Sequence, residues 1–416
     1  MKVLMVHKFY YIEGGAERYV FNLCDLLRQK GHQVIPFAMK DSRNFPSEFE
    51  TFFAERFGPD QLFETTNPLR RLSISSRVVF NRKAQQKLEA LIEETRPDIA
   101  HVHSVYHHLS PSVLFALKKF NLPVVMTLHD YKLVCPNYIL LDGKRRVCES
   151  CRGKHFWHAT AKKCFRDSYA ASLLVSIEAY VNAWIKSYRR NVDLFISPSE
   201  FLAGRIRQYG YADKPVYVLP YTLDLSAYRP CFEASDYFVF MGRLTHEKGL
   251  HFLLDALKKI TNGHLLIIGT GPLQGELEER IRTEGLTNVT LVGYKSGEEL
   301  KDLVRRGKFT VVPSEWHDNS PLVIYESLAL GKAVIGARMG GIPELIQEGI
   351  DGYTFQRGDL LGLVDRIKEL LGDPLRTAEM GKNGRRKAEQ LFSAEHHYQN
   401  LMRFYEEAVS LARRGK

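Results

Sequence analysis

No stretch of this 416-residue chain reaches the roughly 20 consecutive apolar residues that a membrane-spanning helix needs. The greasiest candidate, Leu173–Ile185, is interrupted by Glu178 and Asn182 and reads as a helix with one apolar face. Met1–His7 lacks the charged region, apolar stretch and cleavage site, in that order, of a secretory signal. A soluble, cytoplasmic protein is therefore expected. No Ser–His–Asp or Cys–His pair offers itself as a nucleophile. No aromatic–basic module or docking motif supports nucleic acid as a partner.

What is present is an ordinary globular composition, 44% apolar, long enough for two α/β domains. The net charge of +10 is uneven. Residues 1–230 hold 33 Lys+Arg against 22 Asp+Glu, and the remainder holds 25 against 26. The basic half fits peripheral contact with an anionic membrane at its inner face, an acidic substrate, or a solvated surface.

Short apolar runs alternate with helical periodicity. Lys2–His7, Val34–Phe37, Asp98–Val102, Val124–Leu128 and Leu194–Ile196 read as strands, and Ala16–Lys30 as the helix after the Gly14-Gly15 turn. The rhythm restarts after Pro220 with strands at Asp236–Met241, His264–Ile268, Val289–Val292, Phe309–Val312 and Ala333–Gly336. Tyr221–Ser235 has no periodicity and reads as a linker. The pattern predicts an α/β protein of two Rossmann-like, doubly wound parallel sheets facing a cleft, the default ligand site. The expected domains are 1–220, with a Cys-rich basic insertion at about 131–168, and 221–393. An amphipathic helix over 394–416 would pack back on the first domain.

Met241-Gly242-Arg243-Leu244-Thr245-His246-Glu247-Lys248-Gly249 follows a strand and opens a helix. Gly242 permits close backbone approach, and Arg243 and Lys248 put two cations where helix amides favour a diphosphate. Gly269-Thr270-Gly271 is a second Gly-rich turn, weak alone and stronger beside the first. Gly293-Tyr294 offers an aromatic edge to a base. In Ser314–Glu326, Asp318 and Glu326 are two carboxylates separated by a loop and two helical turns, spaced to hold the hydroxyls of one extended ligand. The loop amides of Asn319, Ser320 and Leu322 suit phosphate or sugar oxygens, and Asp318 has a rival reading as a helix cap. His129, ahead of Asp130, and His103 each end a strand where functional residues sit in such sheets. Ser199-Glu200 also follows a strand, with Ser199 equally suited to cap the next helix.

These segments resemble the retaining enzymes of glycosyltransferase family 4, which have the GT-B fold. The Asp318-x7-Glu326 spacing, the small-residue stretch Ser327–Ile335 and Gly340-Gly341-Ile342-Pro343-Glu344 carry the likeness over nearly the whole chain. The resemblance implies transfer of a sugar from a nucleoside diphosphate donor, UDP favoured over GDP, to a saccharide or lipid-linked saccharide. Surface polysaccharide or lipopolysaccharide assembly is the implied setting. By position, Arg243 and Lys248 would hold the diphosphate and Glu326 the ribose. Asp318 and the Asn319–Leu322 amides would hold the sugar, Gly15 would lie against the phosphate, and His129 would face the transferred ring. The family often has Glu where this chain has Asp318, a departure that bears on which sugar is used. Without a nucleophile, retention implies front-face attack as the diphosphate leaves. Without an Asp-x-Asp motif, no catalytic divalent metal is expected. Two rival readings are a sugar-nucleotide epimerase of similar fold and an inactive nucleotide-sugar-binding protein.

Four of six cysteines cluster as Cys135-x12-Cys148-x2-Cys151-x12-Cys164, a spacing that fits four-thiolate structural zinc. An iron–sulfur cluster, reduced thiols and disulfides are the alternatives. The segment is basic and stands beside His129, as an acceptor-recognition element would.

Overall fold

The computed structural model describes residues 1–58, 61, 65–233 and 235–414. The chain divides into two compact units. One comprises residues 1–219 with those from Tyr398 on, and the other residues 220–397.

The first unit is built on six strands: β1 (Lys2–Val6), β2 (Gln33–Phe37), β3 (Ile99–Val102), β4 (Val124–Thr127), β5 (Leu194–Ser197) and β6 (Val216–Val218). They lie in the order β2-β1-β3-β4-β5-β6, every pairing parallel. Helices cover both faces of such a sheet, so the strands are apolar along their whole length. Val3, Leu4, Val6, Ala100, Val102 and Val124 are fully buried. The chain steps from β1 to β2 on one side and returns to β3 on the other. The strand order therefore reverses between β1 and β3, beside the start of the helix Gly15–Gln29. The C-terminal helix Ala394–Arg414 joins this unit through polar contacts from Tyr398 onward. Tyr398 OH meets His32 Nε2 at 2.8 Å, Tyr405 OH meets His101 Nδ1 at 2.8 Å, and Glu407 accepts from Tyr217 OH at 2.7 Å.

The second unit repeats the plan with β7 (Tyr237–Met241), β8 (His264–Ile268), β9 (Val289–Gly293), β10 (Phe309–Val312), β11 (Ala333–Ala337) and β12 (Gly352–Phe355). The order β12-β11-β10-β7-β8-β9 is again all parallel, and it reverses between β7 and β10.

Strands β6 and β12 escape a reading by apolar runs. β6 is three residues long at a sheet edge, and β12 opens on glycine at another. The stretch read as a linker is not loose chain in its described residues. Leu223 N donates to the Phe392 carbonyl at 3.1 Å, Thr222 Oγ1 to the same oxygen at 3.0 Å, and Leu225–Ala227 forms a 3-10 turn. Backbone pairing and a short turn leave no hydrophobic period to detect. Among the described residues, no helix is long and apolar enough to cross a membrane.

Candidate active site

In the second unit the loops after β7, β8 and β10 leave three neighbouring strands at the point where the strand order reverses, where ligands of open α/β sheets bind. The loops after β7 and β8 are zipped together. Gly242 N donates to the Ile268 carbonyl at 3.0 Å, Leu244 N to Thr270 at 3.0 Å, and Leu273 N to Leu244 at 3.0 Å. This closeness requires glycine. A Cβ on Gly269, at φ +142°, would stand 1.9 Å from the Gly242 oxygen. One on Gly271 would stand 2.5 Å from the Leu244 oxygen.

Arg243 projects from this pair of loops, exposed and with no ion pair among the described residues. A 3-10 turn at His246–Lys248 and a left-handed Gly249 precede the helix Leu250–Leu257. Lys248 thus sits just before the helix, not in its first turn. Its Nζ donates to Asp318 Oδ2 at 2.5 Å and lies 5.4 Å from the Trp316 ring centre.

Asp318 is buried and also accepts from Ser314 Oγ at 3.3 Å. It does not cap the following helix: Leu322–Ala329 begins after Pro321, with no side-chain cap. The backbone of Asp318 is gripped instead. Gly341 N donates to its carbonyl at 2.8 Å, and a Cβ on Gly340, at φ +60°, would stand 2.2 Å from that oxygen. Asn319 and Ser320 are buried in the same loop, and Leu322 is buried at the start of the helix. Ser320 Oγ is 2.7 Å from Tyr325 OH. Glu326 is buried on the helix, with Tyr228 OH donating to it at 3.3 Å. Tyr294 stands well exposed after β9.

In the first unit, Gly15 opens the helix that follows β1, and His103 and His129 stand after β3 and β4. The two imidazoles meet, with His103 Nδ1 3.0 Å from His129 Nε2, and the rings stack at 5.2 Å. Burial drives both well below the usual histidine range, helped by neighbouring histidines, so both are neutral. Asp130 accepts from Tyr106 OH and, at 2.9 Å, from Lys132 N. Its burial lifts its pKa to about 6. His103, Tyr106, His129, Asp130 and Lys132 line one pocket. Ser199 acts as a helix cap, its Oγ accepting from Leu202 N at 3.2 Å.

Tyr228, Ser314, Gly340 and Tyr106 were not among the residues expected from sequence. Gly340 and Ser314 left a sequence signal, standing in the Gly340–Glu344 and Ser314–Glu326 motifs. Tyr228 comes from the aperiodic stretch after Pro220.

The four-thiolate zinc centre is not supported. Among the described residues no three or more His, Cys, Asp or Glu side chains form a group able to hold a metal ion, and all six cysteines are free. The thiols have other partners. Cys135 Sγ donates to Asn137 Oδ1 at 2.8 Å, and Cys148 Sγ lies 3.2 Å from Lys162 Nζ. Cys151 packs with Phe156 and Ala159. Hydrogen bonds close the loop: Asn137 Nδ2 donates to the Leu141 and Cys164 carbonyls at 2.6 and 3.0 Å, and Gly143 N to Lys162 at 3.1 Å.

Two parallel Rossmann-like sheets with flanking helices, and Gly-rich loops with paired acidic and basic groups at a strand-order reversal, define a GT-B glycosyltransferase architecture. Residues 13–227 match the model of Glycosyltransferase Family 4, and residues 230–387 that of Glycosyl transferases group 1. The chain belongs to glycosyltransferase family 4. An uncharacterized glycosyltransferase of Methanocaldococcus jannaschii is 30% identical over 169 residues, 41% of this chain and 47% of that relative. The sulfoquinovosyl transferase of Arabidopsis thaliana is 26% identical over 392 residues, 92% of this chain and 68% of that relative. The matched stretch thus spans about half of the archaeal relative's length and two thirds of the plant enzyme's. Among solved structures, sucrose-phosphate synthase from Thermosynechococcus elongatus superposes with a TM-score of 0.72 at 21% identity, over 98% of this chain and 99% of that one. Anabaena HepE, solved with UDP-glucose, gives 0.67 at 18% identity, over 98% and 100%.

Proposed function

We propose that the protein is a retaining hexosyltransferase that moves a sugar from a nucleoside diphosphate, UDP in preference to GDP, to a saccharide or lipid-linked saccharide in surface polysaccharide assembly. The observation that carries this reading is the Lys248–Asp318 pair at the sheet's reversal, with Arg243 exposed in the same loop as Lys248 and Glu326 buried on the next helix. Arg243, Lys248 and the amides around Gly242 and Gly269 form a cationic, donor-rich cradle for a diphosphate. Glu326 accepts from the ribose hydroxyls, and Asp318 with the Asn319–Leu322 loop takes the sugar hydroxyls. Tyr294 offers its ring to the base.

The chemistry then follows from charge. As the anomeric carbon–oxygen bond breaks, negative charge gathers on the departing diphosphate, where Arg243 and Lys248 stabilise it. The acceptor oxygen bonds to the anomeric carbon on the same face, and its proton passes to the leaving phosphate oxygen. Neutral His129 would face the transferred ring, and Gly15, at the start of the first helix, would lie against the phosphate. The epimerase and inactive-binder readings are not favoured, since both family models are those of transferases.

The test is calorimetric titration with a panel of UDP- and GDP-sugars, on wild type and Glu326→Ala. A micromolar response to one UDP-sugar, lost in the variant while the thermal transition holds, is expected. Equal binding by the variant would remove Glu326 from the site.

A further inference from the structure

The helix Tyr169–Trp184 buries mostly polar side chains: Ser172, Ser176, Glu178 and Asn182 point inward with Ala171 and Val175. Glu178, the helix's one charged residue, is fully buried and takes Lys132 Nζ at 2.7 Å and His107 Nδ1 at 3.1 Å. Burial alone would raise its pKa, yet His107 and Lys132 outweigh it and hold the carboxylate at about 2. The face turned to solvent is Tyr169, Leu173, Ile177, Tyr180 and Trp184, spaced three or four residues apart along one stripe. Trp184 is 83% exposed and Tyr169 59%. Single exposed apolar side chains are ordinary, but a continuous stripe with no charge in it marks a contact surface.

The surroundings name the partner. Lys163 Nζ lies 4.6 Å over the Tyr169 ring, and Arg166 is exposed at the same end, beside one acid, Asp167. At the other end Lys154 and Lys186 line one pocket with Ala183, and Arg190 is exposed a turn on. The neighbouring helix Pro68–Val79 adds exposed Leu69 and Leu72 around Arg70 and Arg71. Apolar side chains ending in Tyr and Trp and ringed by Lys and Arg match an anionic bilayer, acyl chains inside and headgroups at the rim. Self-pairing through a two-fold axis would set this basic rim against its own copy. We infer that the stripe from Tyr169 to Trp184 is a docking surface for an anionic lipid bilayer, on which the protein lies without crossing it. This stands apart from the donor chemistry and uses residues outside that site.

The experiment is co-sedimentation with vesicles of phosphatidylglycerol and phosphatidylcholine, and of phosphatidylcholine alone, at low and 0.5 M salt. Wild type is expected to bind the anionic vesicles at least tenfold more tightly than the neutral ones, and more weakly in high salt. Leu173→Gln/Ile177→Gln/Trp184→Ser should lose at least tenfold in partitioning, with an unchanged thermal transition and unchanged donor titration. Lys163→Gln/Lys186→Gln/Arg190→Gln should lose several-fold and most of the salt dependence. Absence of wild-type binding to anionic vesicles at low salt would overturn the inference, as would wild-type binding by the apolar triple variant. A dimer seen by sedimentation velocity and abolished by that variant, without vesicle binding, would assign the stripe to self-association and overturn it too.

Discussion

Lys248 Nζ and Asp318 Oδ2, 70 residues apart in sequence, stand 2.5 Å apart and join the loop after β7 to the loop after β10. The cation assigned to the diphosphate and the acid assigned to the sugar are therefore one unit before any donor arrives. Lys248→Met would strand a buried carboxylate, at about 1–3 kcal/mol of stability, and slow transfer by about 10²–10³-fold. Asp318→Asn in the same background should cost far less than it does alone. A double-mutant cycle on donor binding should show coupling of about 1 kcal/mol or more; strictly additive losses would mean that the pair does not act together.

Gly340→Ala places a methyl group against the Asp318 carbonyl and a side chain at φ +60°. We expect a stability loss of about 1–3 kcal/mol and a several-fold rise in KM for the donor. Gly285→Ala, also at positive φ but with open space around it, is the control. It should lower the melting temperature and leave KM alone.

The buried histidines make the first unit acid-sensitive. His103 and His129 are held below the unfolded value of 6.5 by burial, so the unfolded chain binds more protons than the folded one. Their contribution is complete above pH 6.5 and is lost as pH falls below it, at up to about 1.4 kcal/mol per pH unit for each. Asp130, raised to about 6 from 3.8, has the opposite sign and recovers part of the loss on acidification. Urea midpoints between pH 7.5 and 5 should fall in wild type and fall more steeply in Asp130→Asn. A flat wild-type profile would contradict the burial of the imidazoles.

Cys148 should be the first of the clustered thiols to react. Burial raises it, but Ser150 and the Lys162 ammonium prevail and bring its pKa below the usual thiol value. Cys24, Cys135 and Cys164 are pushed up to about 12, 11 and 12, chiefly by burial, and Cys151 is raised as well. Alkylation at pH 7.5 followed by peptide mapping should label Cys148 at least tenfold faster than these four, and Lys162→Met should remove most of that advantage.

The two sheets were legible because their strands are buried on both faces and so read as unbroken apolar runs, and because Gly-Gly and Gly-x-Gly turns punctuate them. Short edge strands such as β6 carry too few residues for that signal. Asp318 and Glu326 were legible as a spacing. Their partners Lys248 and Tyr228 were not legible as partners, since a contact across 70 or 98 residues has no local periodicity. The cysteine cluster is the opposite case: equal spacing along the chain suggests a four-thiolate site, but spacing does not fix side-chain geometry, and among the described residues no group of three or more His, Cys, Asp or Glu side chains is arranged to hold a metal ion.

The reversal of strand order between β7 and β10 also separates what must stay from what is free to vary. Every loop that carries a donor-side charge, Arg243, Lys248 or Asp318, springs from one of those two central strands. The outer strands β9, β11 and β12 supply support and the single aromatic Tyr294. A lineage could therefore exchange or lengthen the loops after β9 and β12, acquiring new sugars or acceptors, while the two central loops, held by the glycines after β8 and β11, went on anchoring the leaving group unchanged.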